Sequence, residues 1–117
     1  MKNNNFIECL YYGKALISGN FSQVVEGIFS NKSEERFGFL CEVGLVILES
    51  YNGKPLRIIN LLFADISIFN TTEGNNGLGI NVRGRVYKLI FDNEKLRDQW
   101  KNAIKEWKES NFFLTKF

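Results

Sequence analysis

The chain has 117 residues, the length of one domain, and its 15 Lys and Arg against 13 Asp and Glu leave a net charge of +2. So small an excess attracts nucleic acid only weakly, and no nucleic-acid partner is expected. The sequence contains no histidine, which excludes Ser-His-Asp and Cys-His catalytic sites and histidine-based zinc sites, so neither an enzymatic activity nor a cofactor is expected.

The cysteine content favours an intracellular protein. Cys9 and Cys41 are too few for a disulfide-stapled scaffold, and no secretory signal precedes them. We interpret both as reduced thiols. No apolar run reaches the roughly 18 residues that a membrane-spanning helix needs.

Three strands are predicted in the first half of the chain. Residues 23–30 (QVVEGIFS) can form a strand, preceded by a turn at Gly19-Asn20 and followed by a polar loop at 31–35. Residues 36–42 and 44–51 are rich in Phe, Leu, Val and Ile, which favour strands.

Residues 1–22 are interpreted as an N-terminal extension that adds a strand or a helix to the domain. The alternative is that residues 13–18 form the true first strand and that an unusually long loop follows it.

The second half of the chain predicts two hairpins. Asn52-Gly53 favours a type I′ turn that joins residues 45–51 to a strand at 55–61, where Pro55 takes the first position. A short strand at 65–70 and a polar loop at 73–77 follow. Residues 78–82 and 85–91 then form a hairpin around Arg83-Gly84.

The last element is an amphipathic helix at about 93–109, with Asp92 as its predicted N-cap. Lys101, Lys105 and Lys108 are expected on its solvated face. Residues 111–117 form an apolar tail that either folds back onto the domain or exposes a patch for a partner. The apolar face of the helix consists of Leu96, Trp100, Ala103, Ile104 and Trp107.

Several short motifs, in this order, resemble those of pleckstrin homology (PH) domains. Glu26-Gly27-Ile28-Phe29 is similar to the Glu-Gly-x-Leu of the first strand, and Arg36-Phe37-Gly38-Phe39-Leu40 resembles the second-strand motif. Trp100-Lys101-Asn102-Ala103-Ile104 matches the Trp-x-x-Ala-Ile of the closing helix. The resemblance implies a mainly β fold: a seven-stranded, partly open barrel closed by a C-terminal helix, with the domain at 23–110.

The resemblance also implies a non-catalytic module that binds phosphoinositide or acidic phospholipid headgroups at the cytoplasmic face of a membrane. In an up-and-down meander, the loops after strands one, three and six lie at one end. The predicted headgroup-binding residues in and beside these loops are Lys32, Arg36, Lys54, Arg57, Arg83 and Arg85, with Lys14 added if the first strand starts earlier.

Acidic residues near these cations predict weak to moderate binding. Lipid-selective members of the family carry basic residues where this chain has Glu26 and Glu34, and Glu35 adds another negative charge. The alternative function is therefore a protein-interaction or autoregulatory module, binding another protein or a neighbouring domain of a larger signalling protein such as a kinase or exchange factor.

Overall fold

A computed structural model describes residues 15–27 and 30–115, with side chains as far as residue 110. Within this part of the chain, antiparallel strands form one sheet in the order β4-β3-β2-β1-β7-β6-β5. β4 and β5 are its two edges, so the sheet is not closed. The elements are β1 (Ile17–Val25), β2 (Lys32–Cys41), β3 (Gly44–Leu48), β4 (Pro55–Ile59), β5 (Asp65–Thr71), β6 (Gly74–Val82), β7 (Arg85–Ile90) and the helix α1 (Glu94–Thr115).

The first strand differs from both sequence-based alternatives. β1 starts at Ile17 and ends at Val25, so the predicted turn at Gly19-Asn20 is wrong and the predicted domain boundary at residue 23 falls inside a strand. Gly19 and Asn20 pair with Gly38 and Phe37 of β2, within a ladder of nine residue pairs. That ladder outweighs the local turn preference. Residues 1–14 of the predicted extension lie outside the described residues.

Two predicted loops are shorter than the sequence suggested. Lys32–Glu35 was predicted to be loop, but it belongs to β2 and pairs with β1 residues 22–25. The loop predicted at 73–77 is reduced to a turn at Thr72-Glu73, because β6 begins at Gly74. Polar residues read as loop in the sequence are here held by backbone hydrogen bonds to a neighbouring strand.

The first-strand motif of the resemblance is also displaced. Glu26 and Gly27 follow β1 rather than belonging to it, and Ile28 and Phe29 lie outside the described residues.

Both predicted hairpins form, but the type I′ turn lies in the second hairpin and not in the first. At the β3–β4 turn only Asn52 has a positive φ, 66°, so the predicted type I′ turn at Asn52-Gly53 is wrong. At the β6–β7 turn both Arg83 and Gly84 have positive φ, 55° and 89°, as a type I′ turn requires. Pro55 begins β4 as predicted.

The main core fills the concave face of the sheet. Leu40, Leu45, Leu78 and Leu89 are completely buried there, with aromatic rings packed among them. The ring of Phe21 lies against Gly38, where a Cβ would come within 2.6 Å of it, so this pair of strands requires a glycine. A second buried cluster lies on the opposite face of β2 and β3 and consists of Phe37, Phe39, Cys41, Val46 and Leu48.

The helix begins one residue later than predicted and extends further. Asn93, rather than Asp92, is the N-cap: its Oδ1 accepts a hydrogen bond from the Leu96 N–H at 2.8 Å. The helix continues to Thr115, so residues 111–115 of the predicted tail are helical. The structure does not describe the side chains of residues 111–117. The prediction that this tail folds back onto the domain or exposes a patch therefore falls outside the described residues.

The apolar face of the helix packs as predicted. Trp100 is completely buried, with its ring 5.5 Å from Phe21 and 5.7 Å from Phe91 between centroids. Ile104 and Trp107 are buried with it. Lys108 was expected on a solvated face, but its Nζ donates a hydrogen bond to the Ala64 carbonyl.

These contacts hold the helix over one end of the sheet. Near its start, Arg97 donates a hydrogen bond to the Asn75 carbonyl at the beginning of β6. Near its end, the Trp107 Nε1–H donates to the Cys41 carbonyl at the β2–β3 turn, at 2.6 Å. The opposite end of the sheet holds the turns that the sequence analysis singled out.

Candidate functional site

We define the open rim as the end of the sheet formed by the described residues of the β1–β2 connection (26–27 and 30–31), the β3–β4 turn (49–54) and the β6–β7 turn (83–84). Strand directions put these together: β1, β3 and β6 all end on the same side in an antiparallel sheet with this order. An open groove of about 750 Å³ lies between the β1–β2 connection and the β6–β7 turn, which are therefore neighbours.

Register decides which side chains face the concave side at this rim. Arg57 of β4 pairs with Ile47, a core residue of the concave face. In β7, Arg85 and Tyr87 alternate with outward-facing residues, and Tyr87 pairs with the core residue Ile80. Paired residues share a face, so Arg57, Arg85 and Tyr87 all point to the concave side.

The central feature of the rim is Tyr87, whose ring two arginines approach. The Cζ of Arg57 lies 5.8 Å from the ring centroid, and the Cζ of Arg85 lies 5.2 Å from it. Each cation–π contact at such exposed positions contributes about 0.5–1 kcal/mol. Arg57 and Arg85 come from strands that are not hydrogen-bonded neighbours, so these contacts join the two sides of the open sheet.

The arrangement is suited to an anion. Guanidinium groups offer planar, paired N–H donors that match phosphate oxygens. Two cations at one ring repel each other, and an anion bound between them would relieve that repulsion.

Arg36 adds a donor deeper on the same face. It pairs with Phe21, a residue of the concave core, and it is half-buried. Its NH1 donates to the Glu35 carbonyl at 3.0 Å, but its buried Nε has no acceptor among the described residues. An unsatisfied buried donor costs about 1–3 kcal/mol, which a bound anion would offset.

The other predicted site residues lie around this centre. Arg83 is exposed in the β6–β7 turn, and Lys54 is exposed at the end of the β3–β4 turn, where its carbonyl accepts from the Glu49 N–H at 3.0 Å. Lys32 is exposed but paired with Glu34, Nζ to Oε2 at 3.4 Å. Lys14 lies outside the described residues.

Sequence reasoning missed the role of Tyr87. Tyr87 is not among the predicted headgroup-binding residues. It is buried, yet it lines the 750 Å³ groove and a second open cavity of about 390 Å³. The alternation of Arg85, Tyr87 and Leu89 signals that the three share a face. No local signal places Arg57 against it, because that contact depends on the curvature of the whole sheet.

Neither a metal site nor a membrane span was found in the described part of the chain. It contains no cluster of three Cys, Asp or Glu side chains arranged to bind a metal ion. None of its helices is both long and apolar enough to cross a bilayer.

Comparison with known proteins gave matches in structure only. No protein-family model matches the sequence, and no curated protein matches it significantly. The solution structure of the PH domain of human pleckstrin homology domain-containing protein family A member 5 superposes with a TM-score of 0.64 at 15% identity, covering 80% of this chain and 77% of that one.

Two further PH domains give similar superpositions. That of human oxysterol binding protein-related protein 11 has a TM-score of 0.64 and 21% identity, with 80% of each chain covered. That of ArhGAP27 has a TM-score of 0.63 and 16% identity, covering 78% of this chain and 96% of the other. The open antiparallel sheet and its C-terminal helix thus have the fold of a PH domain.

Proposed function

We propose that this domain is a non-catalytic module that brings its protein to anionic membrane surfaces by binding phosphoinositide or acidic phospholipid headgroups at the open rim. The observation that supports this best is the pair Arg57 and Arg85 on the ring of Tyr87, at the end of the sheet away from the helix. Arg36 contributes a buried donor to the same face, and Arg83, Lys54 and Lys32 contribute exposed charge.

The exposure of the rim and its acidic neighbours favour modest affinity. A basic side chain near an anionic leaflet contributes about 1 kcal/mol. The pairing of Lys32 with Glu34 removes part of that contribution. We therefore propose attraction to anionic headgroups in general, with limited selection among them.

Vesicle sedimentation tests this function directly. The wild type and Arg57→Ala/Arg85→Ala are compared on vesicles of phosphatidylcholine alone, and with added phosphatidylserine or phosphoinositide. We expect the wild type to sediment with the anionic vesicles only, and the double variant to bind them roughly 30-fold more weakly.

Lys95→Ala/Lys105→Ala is the matched control, because it removes the same charge from exposed positions on the helix. If both double variants lose affinity equally, the effect is one of net charge and the rim is not the binding site. If the wild type fails to bind at low salt, the proposed function is wrong.

The second candidate function, protein interaction, has its own support in β4. This strand is at the edge of the sheet, and its Leu56 and Ile58 are exposed. An unpaired edge with apolar side chains can accept a strand from another protein. A pull-down of a protein partner that survives Arg57→Ala/Arg85→Ala but is lost in Ile58→Lys would favour this candidate.

A further inference from the structure

The β4–β5 connection presents an aromatic side chain to solvent on a firmly held turn. The Ala64 N–H donates to the Leu61 carbonyl at 3.1 Å, and the Leu62 N–H donates to Asn60 Oδ1 at 3.0 Å. Leu61 and Ala64 are completely buried, so both ends of the turn are anchored in the core. Phe63, one of its two central residues, is 73% exposed.

Phe63 borders a cavity that also contains Tyr87, the ring of the arginine site, and the rim cation Arg83. The open cavity of about 390 Å³ is lined by Phe63, Leu62 and Ile58 on one side and by Arg83 and Tyr87 on the other. Ile58, which also borders the cavity, is 49% exposed. No carboxylate is among the described residues that line this cavity.

A large apolar side chain beside cations matches the boundary of an anionic bilayer, where phosphates lie next to hydrocarbon. Exposed apolar side chains gain free energy when they leave water, and cations beside them are attracted to the phosphates. Asp65 is exposed two residues beyond Phe63, and it limits how deeply this turn can enter.

We propose that Phe63 inserts shallowly into the hydrocarbon boundary of an anionic membrane while the rim arginines hold headgroup phosphates. The inference rests on the proposed function and adds an apolar contact to it. Phe63 lies in the β4–β5 connection, outside the three turns that form the open rim.

The test uses Phe63→Trp in the full chain. Both native tryptophans are buried, Trp100 at 0% and Trp107 at 5% exposure, so a new indole at position 63 reports on its own surroundings. Vesicles contain phosphatidylserine and phosphatidylcholine with bromine atoms on the acyl chains. We expect the emission of Phe63→Trp to shift to shorter wavelength and to be quenched by the bromines.

Val43→Trp is the matched control. Val43 is 42% exposed in the β2–β3 turn, at the end of the sheet that the helix covers. The proposal requires that its emission is not quenched by the brominated chains. Equal quenching of Phe63→Trp and Val43→Trp would overturn the proposal that the turn of Phe63, and not the helix-covered end of the sheet, enters the membrane.

A second variant measures the affinity that the contact contributes. Phe63→Ser should keep the wild-type Tm, because the side chain is exposed, and should bind anionic vesicles roughly tenfold more weakly. Binding of Phe63→Trp and Phe63→Ser at the wild-type level, without quenching, would overturn insertion and leave the headgroup site intact. Absence of binding by the wild type would overturn both proposals.

Discussion

At the open rim, the acidic side chain of Glu34 reduces the positive charge of a basic surface. Glu34 pairs with Gln23 across β1–β2, on the concave side, and its carboxylate lies 3.4 Å from Lys32 Nζ. The Lys32 side chain is 68% exposed and that of Glu34 is 39% exposed, and ion pairs so open to solvent contribute little to stability. For the proposed function the pair matters more, since it neutralises one of the cations that would attract an anionic membrane.

We expect Glu34→Gln to strengthen binding to anionic membranes. The change releases Lys32 and should increase affinity for anionic vesicles about fivefold, the equivalent of one basic residue near the surface. Tm should stay close to that of the wild type. Glu42→Gln, the same charge change at the exposed β2–β3 turn, is the control and should leave binding unchanged; equal gains in the two variants would contradict the role given to Glu34.

Among the elements, the β6–β7 hairpin places Arg83, a cation of the proposed binding site, where the backbone conformation is unfavourable for its residue type. Arg83 has φ 55°, a region in which asparagine and glycine are favoured over arginine. The turn is completed by Asn81, whose Oδ1 accepts from the Gly84 N–H at 2.9 Å. An arginine at this position therefore costs folding free energy relative to asparagine or glycine.

We expect Arg83→Asn and Gly84→Ala to separate stability from binding. Arg83→Asn should leave the free energy of unfolding unchanged or raise it, because asparagine tolerates a positive φ better than arginine. It should weaken vesicle binding, because it removes a rim cation. Gly84→Ala should lower stability by about 1 kcal/mol because of its φ of 89°, with nothing within 4 Å of the added Cβ, and should leave binding of the folded protein unchanged. Denaturant unfolding and vesicle sedimentation measure the two effects; a loss of binding in Gly84→Ala alone would contradict them.

Prediction of elements from the sequence succeeded where the signal is local. The face of the helix around Trp100 and the hairpin at Arg83-Gly84 follow from short-range periodicity and turn chemistry. The first strand and the loop at 31–35 were wrong, because Gly19, Asn20 and Lys32 are strand residues only through their partners across the β1–β2 ladder. The N-cap lies one residue later than predicted. Asp92 and Asn93 are both suitable capping residues, and the hydrogen bond from the Leu96 N–H identifies Asn93 as the cap.

Over the whole molecule the net charge is only +2, but the arginines are unevenly distributed. The rim gathers arginines from β2, β4 and β7, while the helix closes the other end through Trp100 and Trp107. The proposed attraction of the rim to membranes is therefore electrostatic and acts over short distances.

We expect vesicle binding to fall steeply as salt rises. The screening length decreases from about 10 Å at 0.1 M salt to about 3 Å at 1 M. Binding of the wild type to phosphatidylserine vesicles should decrease accordingly, and Arg57→Ala/Arg85→Ala should show a shallower dependence. Sedimentation at several NaCl concentrations measures both; a wild-type affinity independent of salt would exclude headgroup recognition by the rim.

Local signals in the sequence specify the class of fold: alternating apolar residues, turn residues at Arg83-Gly84 and one apolar helix face indicate a sheet capped by a helix. The sequence also identified the cations that the structure finds around the open rim. The contacts of Arg57 and Arg85 with Tyr87, and the position of Phe63 in a cavity with Arg83 and Tyr87, became visible only in the folded structure. Periodicity and turn preference act over a few residues, whereas those contacts depend on strand register and on the curvature of the complete sheet.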